Sequence, residues 1–118
     1  MPVEGTVTQG FNTKENHLAI DIAVDIGTPI KAASDGRVLF AEWTLETGYV
    51  IIIDHGDMLT TAYKHNSAVL KKQNEFVNAG EIIALSGNHG TLTTGPHLHF
   101  ELWKNGSPID PAQLFNFK

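Results

Sequence analysis

The run His97-Leu98-His99-Phe100-Glu101-Leu102-Trp103 alternates between two kinds of side chain without a break. A period of two fits a half-buried strand, whose successive side chains point to opposite faces. Leu98, Phe100 and Leu102 then belong to a core, and His97, His99, Glu101 and Trp103 share the other face. A second run follows the same rule. His17, Ala19, Asp21 and Ala23 fall on one face, with Leu18, Ile20, Ile22 and Val24 on the other. His17 and Asp21 would also align on a helix at i and i+4, but the aliphatic alternation favours the strand. Two strands thus present metal-competent groups opposite aliphatic faces.

The rest of the chain reads as strands separated by short turns. Ala33-Ser34-Asp35-Gly36 turns into Arg37–Trp43, and Gly48 opens Tyr49–Ile53. Asp54-His55-Gly56-Asp57 is a hairpin turn into a strand from Met58 to His65, which places Tyr63 and His65 on one face. Asn78-Ala79-Gly80 leads into Glu81–Leu85, and a Gly/Thr-rich loop from Ser86 to Pro96 delivers the chain to His97. Asp110-Pro111 supplies an N-cap and a proline at the first helical position for a short turn through Phe115. The expected fold is all-β, an antiparallel sandwich or hybrid sheet with minimal helix.

At 118 residues the chain suits one domain, residues 1–118. A net charge of −5, with no clustered Lys/Arg stripe, argues against nucleic acid as a partner. No apolar run approaches the ~20 residues that cross a bilayer, and no signal peptide follows Met1. The absence of cysteine excludes disulfides and Cys-ligated zinc.

Zinc takes His nitrogen and carboxylate oxygen, with three protein ligands and an open position in catalytic sites. His17, Asp21, His65, His97 and His99 are the candidates. Three can hold a metal and two remain for proton chemistry; a fourth protein ligand, such as His97, would instead close a structural site. His55, in a turn, is read as structural, and His89, in the Gly/Thr-rich loop, as a rim residue. Glu101 either reaches the site or is a solvated strand carboxylate.

Thr94-Gly95-Pro96-His97-Leu98-His99-Phe100-Glu101, preceded by His17-x-x-x-Asp21 and Tyr63-x-His65, resembles the lysostaphin/LytM-type zinc metallopeptidases, the M23 family. Asp25–Ala32, Ser34–Val38, Gly80–Ala84 and Pro108–Pro111 extend the likeness over nearly the whole chain. The resemblance implies one zinc ion held by His17, Asp21 and His99. It gives His65 and His97 the proton-transfer and oxyanion-stabilising roles. It implies hydrolysis of peptide bonds in the cross-links or stems of bacterial peptidoglycan. A catalytic domain of a longer exported protein, in the periplasm or cell envelope, is expected from that substrate.

The chain departs from the family pattern at three places. Ala19 stands where His-x-Gly-x-Asp has glycine, a methyl group expected to narrow the cleft and still admit zinc. Asn74 stands near where a turn glycine is common, and asparagine is the next most tolerant residue for positive φ. The approach Gly10–Asn16 is short, which lowers one wall of the cleft.

Other readings are a non-catalytic peptidoglycan-binding or amidase-activating module, a closed structural zinc site, and a biotinyl- or lipoyl-type carrier. No lysine sits at a hairpin tip between methionines, as a carrier needs. Nothing in Tyr63-Lys64-His65-Asn66 suggests a pocket tailored to glycine bridges, so the preferred substrate is a direct D-Ala to diamino-acid cross-link.

Overall fold

The computed structural model describes residues 2–88 and 95–115. These residues form ten strands: β1 (Thr6–Gln9), β2 (Ile20–Ala23), β3 (Pro29–Lys31), β4 (Gly36–Thr44), β5 (Gly48–Asp54), β6 (Leu59–Val69), β7 (Phe76–Val77), β8 (Ile82–Ser86), β9 (His97–Lys104) and β10 (Ser107–Ile109). The main path runs β1-β2-β9-β6-β5-β4-β7, with β3–β8 branching from β6 and β10 from β9. Every strand pair is antiparallel. Asp110 caps one 3-10 turn at Pro111–Gln113 by accepting from the Ala112 N–H, as its sequence predicts. Among the described residues no helix is long and apolar enough to cross a membrane. His89 and Thr94 lie outside the described residues.

The branch at β6 turns the sheet over on itself. Leu59–Lys64 pairs with β9, whereas Asn66–Val69 pairs with β8. The switch occurs at His65, whose φ is +69°. Against β5 the register slips at the same point: Ile51 faces Tyr63 but Tyr49 faces Asn66, so Lys64 and His65 together oppose one residue. This is a β-bulge, the device that bends a strand and re-aims its side chains. The buried Asn66 amide fastens it by donating to the carbonyls of Tyr49 (3.1 Å) and Tyr63 (3.0 Å). Its Oδ1 is buried with no partner among the described residues, so the contribution of this side chain lies in its two donors.

Ile22, Ile51, Ile53, Tyr63, Leu98 and Phe100 form the heart of the core, where the main sheet meets Ile30, Ile83 and Ala84 of β3–β8. Tyr63 lies against Phe100, their ring centroids 5.2 Å apart. Its hydroxyl accepts from the Ala33 N–H (3.0 Å) and the Thr61 hydroxyl (2.8 Å). His55 closes this network, with Nε2 on the Thr61 hydroxyl and Nδ1 donating to the Asp35 carbonyl, both at 2.7 Å. Asn74 adopts φ +75° at its turn.

Two expectations about faces are corrected. Tyr63 and His65 do not share one: Tyr63 is a core residue opposite Phe100, and the bulge turns His65 away from it. The second strand begins at Ile20, and His17 lies outside it in an isolated bridge to Asn12. A bend at Ala19 breaks the alternation, leaving Ala19 and Ile20 both buried. The Ala19 methyl is fully packed away and does not line the cleft, so it does not narrow it.

Asn66→Ala removes both carbonyl contacts at the bulge and is expected to cost ~1–3 kcal/mol, the range for stripping partners from buried polar groups; the urea unfolding midpoint measures it. Burial, opposed by the Thr61 and Ala33 hydrogen bonds, pushes the Tyr63 phenol up to about 12 from 10.0. An acid whose pKa rises on folding favours the fold below its unfolded pKa and loses that contribution as pH climbs. Wild-type stability should therefore lose about 3 kcal/mol from Tyr63 between pH ~10 and ~12. Tyr63→Phe, compared across that window, should show a shallower decline.

Candidate metal centre

The register of three adjacent strands assembles the centre. Asp21 on β2 sits directly opposite His99 on β9, and His99 opposite Lys64 on β6. His97, at the start of β9, is opposite Ala23. Side chains facing each other across such pairs have Cβ atoms about 4.5–5.5 Å apart, so one row across the sheet lines up a carboxylate, an imidazole and a lysine, with Asp21 in reach of His99. His17 joins this row from a short turn. Asn12 and His17 exchange backbone hydrogen bonds of 2.8 and 2.9 Å, and Asn12 Oδ1 accepts from the N–H groups of Lys14 and Glu15. The turn Thr13–Asn16, closed by Asn16 at φ +55°, is the local reason a residue outside the strand is held in place. His65 enters through the bulge, its backbone N–H donating to the Thr47 carbonyl at 2.7 Å.

A cleft of about 290 Å³ results, lined by Gln9, His17, Asp21, Thr47, Lys64, His65, His97 and His99. All five candidates from the sequence thus face one cavity. His65 lies 4.9 Å from His97 and 5.8 Å from His99, centroid to centroid. His17 and His99 meet edge to face at 5.9 Å.

Hydrogen bonds fix where the ring protons sit. A carbonyl oxygen only accepts, so His17 Nδ1–H donates to Gly10 (2.8 Å) and His97 Nδ1–H donates to Gly95 (2.7 Å). His17 Nε2 therefore turns to Asp21 Oδ2 at 3.1 Å, and His97 Nε2 stands 3.8 Å from Asp21 Oδ1. His99 lies between two carboxylates, with Nδ1 3.0 Å from Asp21 Oδ1 and Nε2 2.8 Å from Glu101 Oε2. Glu101 also pairs with Lys64 Nζ at 2.9 Å and accepts from Trp103 Nε1 at 2.9 Å.

These contacts set the charges. Burial pushes the Asp21 carboxyl up, but the His99 hydrogen bond and the His99, His97 and His17 imidazoles outweigh it and hold it below 3.8. Burial likewise opposes ionisation of Glu101, yet hydrogen bonds from His99, Lys64 and Trp103 bring it down to about 2. Burial alone would lower His99; its bonds to Asp21 and Glu101 raise it above 6.5.

His17, Asp21 and His99 each offer a ligand atom, all within 4.8 Å of one another. Zinc bonds of about 2.0–2.1 Å to nitrogen and oxygen put tetrahedral ligand atoms roughly 3.3 Å apart. The 3.1 and 3.0 Å separations from Asp21 to the two imidazoles approach that spacing. With Nδ1 of His17 committed to Gly10, its Nε2 lone pair faces a carboxylate across a gap that a shared proton or a cation must bridge. The donor set fits zinc.

Of the two roles the sequence allows Glu101, the structure shows the first: it reaches the site and accepts from His99 Nε2–H. Lys64, which completes the arrangement, carries no local sequence signal because only the β6–β9 register brings it there.

The sequence profile of Peptidase family M23 matches residues 15–111. The chain is 40% identical over 94 residues to the peptidoglycan DD-endopeptidase ShyA of Vibrio cholerae, covering 80% of this chain and 22% of ShyA. It is 40% identical over 114 residues to the murein hydrolase activator NlpD of Escherichia coli, covering 95% of this chain and 30% of NlpD. A zinc-containing peptidase from Vibrio cholerae superposes with a TM-score of 0.89 at 33% identity, covering 99% of this chain and 39% of that one. The chain thus spans less than a third of the length of these two curated relatives.

Proposed function

The chain belongs to peptidase family M23, and from that premise we propose that it is a zinc-dependent endopeptidase that cleaves peptide bonds in bacterial peptidoglycan. The observation that carries this reading is the convergence of His17 Nε2, Asp21 and His99 Nδ1 beside two further imidazoles in one cleft. His17, Asp21 and His99 would hold the metal. Zinc bound there supplies Lewis acidity, polarising a carbonyl and acidifying water.

The protein's own groups do the rest. His97 is locked by Gly95 into the tautomer that presents the Nε2 lone pair to the cleft. That arrangement suits a general base, which takes a proton from the attacking water and returns it to the leaving amine. His65, nearly fully buried with its ring centroid 4.9 Å from that of His97, would hydrogen-bond the developing oxyanion. Asp21, kept ionised among three histidines, favours a cation at the centre.

The preferred substrate is the direct D-Ala to diamino-acid cross-link, an assignment supported by the likeness to a peptidoglycan DD-endopeptidase. Activity on the wall implies export to the periplasm or envelope. The second reading, a module that activates another hydrolase, draws on the likeness to a murein hydrolase activator. Such a module has no need of converging imidazoles with fixed tautomers, which is why the enzyme is preferred.

His99→Ala should abolish zinc binding and hydrolysis together. His97→Ala and His65→Ala should each retain zinc and lose ~100-fold or more in rate, the scale of general acid–base groups. Zinc content and cross-link cleavage on the three variants test this, and zinc loss in His97→Ala equal to that in His99→Ala would point to a closed structural site. Digestion of purified peptidoglycan of both cross-link types, with products identified by mass, should release direct cross-links; cleavage of pentaglycine bridges alone would reverse the substrate assignment. Stimulation of a separate amidase, with no cleavage of its own, would favour the activator.

A further inference from the structure

We propose that Glu101 is a positioning residue that fixes the orientation of His99, with Lys64 and Trp103 holding its carboxylate in place. The inference rests on the reading that His99 is a zinc ligand, and it adds the part of the strand face that makes it a good one.

Three donors converge on this one carboxylate. Oε2 takes His99 Nε2–H at 2.8 Å and Lys64 Nζ at 2.9 Å, while Oε1 takes Trp103 Nε1–H at 2.9 Å. An imidazole free to rotate about its Cβ–Cγ bond would sample orientations in which neither nitrogen faces Asp21. The Glu101 contact removes that freedom, because Nε2–H points along the strand only when Nδ1 points at Asp21 Oδ1, 3.0 Å away. A carboxylate hydrogen-bonded to the remote nitrogen also makes the ring a stronger donor to a metal.

Glu101 and Trp103 come from alternate positions on β9, so their contact follows from strand periodicity. Lys64 comes from β6 and is the residue immediately before His65. One carboxylate therefore ties the strand that carries His99 to the bulge that carries His65. Glutamine has the same shape but only one acceptor oxygen. Its amide N–H₂ would face either Trp103 Nε1–H or the His99 and Lys64 donors, and one side must lose its bond.

Glu101→Gln in the 118-residue chain tests the proposal, with Glu101→Asp as a conservative partner and His99→Ala as the ligand control. Competition with a chromophoric chelator should show zinc affinity falling roughly 10- to 100-fold in Glu101→Gln, the usual effect of losing a group that orients a metal ligand. Glu101→Asp, which keeps the charge on a shorter arm, should recover part of it. Cobalt(II) in place of zinc reports ligand geometry, and its visible absorption should shift in Glu101→Gln relative to wild type. The melting temperature of chelator-stripped protein should stay close to wild type. Unchanged zinc affinity and cobalt spectrum in Glu101→Gln would overturn the proposal while leaving His99 a ligand. A lowered melting temperature with unchanged affinity would assign Glu101 to the fold alone and overturn it equally. No zinc uptake by wild type, or equal uptake by His99→Ala, would instead remove the zinc reading on which the proposal stands.

Discussion

The bulge at His65 is the constraint on which the rest of the molecule depends. Up to Lys64 the strand β6 pairs with β9, and from Asn66 onward with β8. At this crossing β6 carries one extra residue relative to β5, and its φ of +69° is a conformation that persists only where the surroundings hold it. The fully buried Asn66, bonded to carbonyls on both sides of the crossing, supplies that hold. Two consequences follow from one irregularity. The sheet turns over to enclose Tyr63 and Phe100, and an imidazole that would otherwise face the core is delivered to the cleft.

Charge in the cleft favours a cation between Asp21 and the imidazoles. Asp21 and Glu101 stay ionised despite burial because imidazoles, Lys64 and Trp103 compensate them. His99 stands between the two carboxylates, which favour a proton on each of its nitrogens. A metal and a proton then compete for the same Nδ1 lone pair, the ordinary linkage between metal affinity and pH. Glu101 strengthens both partners, because a carboxylate on Nε2–H makes the ring a better acceptor at Nδ1 for a proton and for a metal alike. The same carboxylate can therefore favour a proton and a metal at different times without moving.

Much of this was legible in the chain. The alternation from His97 to Trp103 gave the buried and open faces of β9 correctly, since no bulge interrupts it. Turn residues located β4, β5, β8 and the final 3-10 turn closely. Alternation failed where the strand itself was interrupted. His17 reaches the cleft from the turn held by Asn12, and the bend at Ala19 sends two successive side chains inward. His65 carries no glycine or proline to announce its bulge, so Tyr63 and His65 looked like face-mates. The contacts of Glu101 with His99 and Trp103 follow from strand periodicity, but Lys64 joins them only through the β6–β9 register, which no single segment encodes.

The positions of the functional groups separate by how firmly the sheet fixes them. Asp21 and His99 are directly opposed in a regular ladder, and His17 is pinned by backbone bonds at both its N–H and its carbonyl. These are the groups whose mutual distances a metal would demand to within tenths of an ångström. His97 opens its strand and His65 occupies the bulge, places where the ladder begins or breaks. A proton-transfer group must meet water, substrate and leaving group in turn, so a position at the margin of the ladder suits it better than one in its middle. On the proposed reading, the groups with firmly held backbones would hold a cation and those at the margins of the ladder would move protons. The Lys64–Glu101–His99 contacts connect the two sets.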